Sequence, residues 1–148
     1  MPMALFHSRF GELALRETRV FMIPESSPGQ IPAGSYGLFE MFCDEPGCDC
    51  WRALIQVREQ KQPDRVLATF TYGWGTPEFY KRKLGAAFSE DAAGVHLEAF
   101  GEQSAWSDWL LELFRSLIES DADYAARIQR HYKMFKQEID KARGGKQG

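Results

Sequence analysis

The sequence predicts an α+β protein, with an antiparallel sheet of about four strands in the N-terminal half packed against two or three C-terminal helices. Two observations carry this. The first half alternates apolar and polar residues with period two, as half-buried strands do; the second repeats apolar residues at spacings of three and four, the period of an amphipathic helix. The period-two runs are joined by short connections, which favour antiparallel hairpins over crossovers.

Taken in order, Leu13 to Ile23 contains Arg19-Val-Phe-Met-Ile23, a β segment, followed by the turn-rich loop Pro24 to Gly34. Ser35 to Cys43 and Trp51 to Arg58 come next, the latter placing Trp51, Ala53, Ile55 and Val57 on one face. Val66 to Tyr72 repeats the pattern with Val66, Ala68, Phe70 and Tyr72. Thr76-Pro77-Glu78 is a helix start, a capping side chain before proline at the first helical position, and Gly85 stops that helix after Leu84. Val95 to Phe100 reads as a further strand or an extended connector. Trp106, Trp109, Leu110, Leu113, Phe114 and Leu117 then form the apolar stripe of one helix, and Tyr124, Ile128, Tyr132, Phe135 and Ile139 that of another. Gly144-Gly145 is expected to end the order, leaving residues 1–142 as one domain and 143–148 as a flexible polar tail.

A chain of 148 residues buries enough surface to fold without disulfides. No run approaches the roughly 18 apolar residues of a membrane span, and the first residues lack the basic-then-apolar pattern of a secretory signal. A soluble cytoplasmic protein is the expectation, and there clustered cysteines bind metal more readily than they form lasting disulfides. Charge is asymmetric. Residues 127–146 hold seven basic side chains against two acidic ones, a net of +5 that leaves −8 on the remainder of a chain of net charge −3. That basic helix reads first as a solvated face complementing the helix dipole; the alternative is a weak nucleic-acid surface or a site for an acidic protein partner.

The chemistry is concentrated in Cys43-Asp-Glu-Pro-Gly-Cys48-Asp-Cys50, which contains all three cysteines of the chain. The Pro46-Gly47 turn lies where a hairpin closes, so the thiols are brought together locally. Sulfurs sharing one zinc ion sit about 2.3 Å from it, and neighbouring thiolates repel strongly without a cation. Asp44, Glu45 and Asp49 should raise the thiol pKa values further, which disfavours a reactive thiolate. Three cysteines leave one tetrahedral position open. Among the histidines, His96 should face water and His7 lies in an undefined segment. His131 shares the apolar stripe of the last helix and points inward, where it is the candidate fourth ligand or a core histidine satisfied by hydrogen bonds. Asp44, Asp49 or solvent are the other sources.

Tyr36 to Val57 with its cysteine motif, Tyr72-Gly-Trp74 and Arg130-His131-Tyr132 together resemble an uncharacterised group of small bacterial proteins with a Cys-x4-Cys-Asp-Cys signature. The resemblance spans residues 34–136 and implies a metal-binding domain, with Cys43, Cys48, Cys50 and His131 at matching positions. It carries no reaction. Trp51 departs from the pattern, which implies a basic residue ahead of Arg52, and this weakens a charge-mediated role for the site.

Enzyme signatures are missing. There is no phosphate-binding Gly-x4-Gly-Lys loop, no Gly-x-Gly-x2-Gly turn and no His-Glu-x2-His pair, and Gly73 and Gly75 read as glycines whose backbone freedom permits a sharp strand-to-helix turn. The sequence therefore points to a structural zinc held by Cys43, Cys48, Cys50 and His131 in a small interaction or scaffold module. The competing reading is a hydrolase-like enzyme with an open zinc position and a metal-bound water.

Overall fold

The computed structural model describes residues 3–25, 31–85 and 89–147 of the chain; the middle of the turn-rich loop, residues 26–30, lies outside the described residues, as does position 148. The α+β architecture is as expected, but the sheet is larger. Among the described residues six strands form one antiparallel sheet: β1 (Met3–Leu5), β2 (Arg19–Ile23), β3 (Gly34–Cys43), β4 (Arg52–Glu59), β5 (Val66–Gly73) and β6 (Gly94–Leu97). The order is β1-β3-β4-β5-β6, with β2 also on β3.

The extra strand at the start has a simple origin. β3 is ten residues long, and one of its edges carries two short strands end to end, β2 along Gly34–Leu38 and β1 along Met41–Cys43. Three residues are too few to display an alternating pattern, so β1 has no period for the sequence to reveal. β6 is the segment expected as strand or connector.

Five α-helices accompany the sheet among the described residues, besides a 3-10 turn at Phe6–Ser8: α1 (Gly11–Glu17), α2 (Pro77–Leu84), α3 (Ser89–Ala92), α4 (Ser107–Ser120) and α5 (Ala122–Gln147). α2 has the expected bounds. Thr76 Oγ1 accepts from Phe79 N at 3.1 Å, Pro77 occupies the first turn and Gly85 leaves the helix at φ +94°. α5 runs through Gly144-Gly145, past the expected stop.

The core lies between one sheet face and α4 and α5. Ala53, Ile55 and Val57 of β4 are fully buried, paired across the sheet with Tyr72, Phe70 and Ala68 of β5. Phe70 stacks on Phe114 of α4 at 5.3 Å, and Phe42 meets Phe135 of α5 at 5.6 Å. Burying such rings supplies about 2–3 kcal/mol each, so these two helices are held mainly by their apolar stripes. Trp51 does not continue the β4 alternation. Its φ of +48° lies in the left-handed region, unusual for a bulky residue, and the strand begins at Arg52.

Gly73 is small for a steric reason rather than a conformational one. A Cβ there would collide with the Ala92 carbonyl and stand 2.6 Å from the Tyr80 hydroxyl. The end of β5 thus passes hard against α2 and α3.

Candidate metal centre

The cysteine loop connects β3 to β4. Cys48 N donates to Glu45 O at 3.2 Å across a turn with Pro46-Gly47 at its centre, and Gly47 adopts φ +75° as a type II turn requires. Cys43, Glu45 and Cys48 each present one ligand atom, and the three atoms lie within 4.8 Å of one another. Glu45 N also donates to Cys43 Sγ at 3.4 Å. The donor set of two sulfurs and a carboxylate can hold a metal ion. Cys50 stands outside this group of three but close enough for its charge to act on Cys48. All three cysteines are thiols, with Cys43 and Cys50 buried and Cys48 half-buried.

One face of α5 grips this loop. Lys136 Nζ donates to Cys43 O and to Glu45 O, each at 3.0 Å, while Asp140 Oδ1 accepts from Gly47 N at 3.1 Å. Tyr132 Oη donates to Asp49 Oδ1 at 3.0 Å and accepts from Trp51 N at 3.2 Å. Residues 132, 136 and 140 recur every four positions and so stand in a row along the helix. The left-handed Trp51 is held from the other side as well, because Tyr80 Oη donates to its carbonyl at 2.6 Å and its ring stacks on Phe79 at 4.3 Å. Strain at that residue, on the order of 1–2 kcal/mol, is thus borne by contacts from α2 and α5.

Burial pushes the Cys43 thiol up, outweighing the backbone N–H of Glu45 and the Lys136 ammonium, which favour its thiolate. Burial likewise raises Cys48, and the neighbouring Cys50 adds to it. The direction matches the expectation, but the cause is desolvation rather than the acidic neighbours. Asp49 is instead occupied by the Tyr132 hydroxyl.

His131 requires correction as the fourth ligand. It is buried as expected, yet Nδ1 lies 2.7 Å from Glu40 Oε1 and Nε2 lies 2.7 Å from Glu17 Oε1, so carboxylates occupy both ring nitrogens. The ring stacks on Phe6 at 4.2 Å, and Arg130 pairs with the same Glu17 oxygen. Burial opposes protonation of His131, but the hydrogen bonds and charges of Glu40 and then Glu17 outweigh it and raise its pKa above 6.5. Burial raises the Glu40 carboxyl, with the imidazole pulling it back. The hydrogen bond from His131 is the largest influence on Glu17 and, against burial, lowers its carboxyl. The core histidine satisfied by hydrogen bonds is therefore what the fold contains.

Sequence reasoning missed Glu40 and Lys136, although both left a signal. Glu40 occupies an inward position of β3 between Leu38 and Phe42, and a carboxylate at a core position requires a partner. Lys136 follows Tyr132 by one helical turn and is buried among apolar neighbours, but a lysine within a basic run reads as solvated. Arg127 and Arg130 are likewise engaged, donating to the Glu17 carbonyl and carboxylate.

No family model, curated protein or solved structure matches this chain. No helix among the described residues is long and apolar enough to cross a membrane.

Proposed function

We propose that this protein is a zinc-binding interaction or scaffold module in which the ion has a structural role. The observation that carries the reading is the Cys43, Glu45 and Cys48 group, with all ligand atoms within 4.8 Å on a loop anchored by α5. Cys50, which already interacts with Cys48, would add a third thiolate beside the Glu45 carboxylate, in place of His131. A donor set of that kind is closed and strongly anionic, which suits structure better than activation of a water molecule. Binding would draw protons from thiols that burial otherwise keeps protonated, so affinity rises with pH.

The test is metal analysis of the intact protein beside Cys48→Ser, followed by cobalt substitution. About one equivalent of zinc, lost in Cys48→Ser, and a thiolate-to-cobalt charge-transfer band in the intact protein are expected. Near-zero metal in the intact protein after purification in zinc-supplemented buffer refutes the reading.

A further inference from the structure

The sheet face opposite the core is only partly covered, and a cleft of about 620 Å³ opens there, within the size range of small-molecule sites. Arg52, Leu54 and Gln56, the β4 residues that alternate with the buried Ala53, Ile55 and Val57, line it. Met3 and Met41 contribute one apolar side, and Leu84 and Phe100 also line it. Methionines adapt to varied apolar shapes, and Phe100 is 98% exposed, a large ring held in water at the edge of the cleft.

Charge narrows the ligand. Arg52 is the one cation among the described residues lining the cleft, and its Nε is buried with no hydrogen-bond partner among the described residues. That buried donor draws no ligand itself, but Arg52 is only half-buried and lines the cleft, so the rest of its guanidinium offers charged donors to a carboxylate or sulfonate oxygen. Asp91 and Glu98 also line the cleft and repel a second negative group. We propose that this cleft binds a mid-sized apolar molecule bearing a single anionic group, with the anion at Arg52 and the apolar body over Leu54, Met41 and Phe100.

The proposal is independent of the metal reading, although Cys50 also lines the cleft, so the experiment is run on zinc-loaded and on zinc-stripped protein. The probe is anilinonaphthalene sulfonate, an aromatic body with one anion, titrated by fluorescence against the full chain. Saturation at one probe per chain is expected, with displacement by decanoate and not by decanol. Arg52→Gln weakens binding about tenfold or more, as loss of a charged hydrogen bond does. Leu54→Trp, which fills the cleft, also removes it, while Leu15→Ser, an exposed apolar site elsewhere, leaves it unchanged. Circular dichroism confirms that each variant is folded, and Met41→Trp replaces Leu54→Trp if the latter is not. Non-saturating binding overturns the proposal, as does an unchanged affinity in folded Arg52→Gln. Equal displacement by decanol overturns the anionic requirement, and an equal loss in Leu15→Ser overturns the location.

Discussion

Replacing His131 with leucine tests the buried polar cluster most directly. The substitution leaves the Glu40 side chain, 4% exposed, without the nitrogen 2.7 Å away that now shares its hydrogen bond. Removing one partner of a buried pair costs about 3–5 kcal/mol, a large share of the roughly 5–15 kcal/mol that stabilises a domain. For a chain of this length that lowers the unfolding midpoint by about 10 °C. Glu17 adds little, because it is partly exposed and keeps Arg130.

The double variant Glu40→Leu/His131→Leu removes both polar ends and leaves apolar side chains in an apolar core, so most of the loss should return. The assay is urea unfolding of wild type, both single variants and the double at about pH 6, where the imidazole is protonated, with zinc held constant. A coupling energy of about 2 kcal/mol or more is expected. Additive single effects, each under about 1 kcal/mol, would refute the assignment of this pair as a matched buried interaction.

The same cluster predicts a pH dependence. His131 has a raised folded pKa, so its contribution is complete below its ordinary 6.5 and is lost as pH rises through the folded value; the raised Glu40 acts in the same sense above its ordinary 4.5. Stability should therefore fall as pH rises above about 6.5 in wild type and change less in the double variant, as urea midpoints will show. Lys136→Met removes the donor to Cys43 O and Glu45 O, and should cost about 1–3 kcal/mol in thermal unfolding and weaken zinc retention against a competing chelator. Retention of full affinity would separate the lysine from the loop's order. Gly73→Ala, which drives a methyl into the Ala92 carbonyl, should cost about 3 kcal/mol or more, whereas Gly11→Ala, with open space around the added carbon, should be neutral or stabilising by calorimetry.

The apolar periodicities were enough to place β3, β4, β5, α4 and α5, because each is long enough to show its period and each has a face buried against the others, while α2 was placed by its cap, proline and terminal glycine. β1 was out of reach, its three residues owing their conformation to the free half of the β3 edge. For the site, the Pro46-Gly47 turn was readable, since its geometry is local to four residues. The partner of His131 was not, because an inward histidine is equally consistent with a thiolate-bound ion and with a buried carboxylate. Only the packing of α5 over β3 and α1, which brings residues 114 and 91 positions apart in sequence within 2.7 Å, decides between them. Trp51 shows the opposite case, a residue whose pattern fits a strand but whose backbone is captured by Tyr132 and Tyr80.

The row Tyr132, Lys136 and Asp140 also bears on how the protein is made. Its attachments to the cysteine loop span up to 93 positions, so during synthesis the loop emerges from the ribosome long before the helix that holds it. Until α5 arrives, the loop lacks the Lys136, Asp140 and Tyr132 hydrogen bonds that hold it in the folded protein. The order of translation thus leaves the cysteine loop without its anchor until α5 has been made.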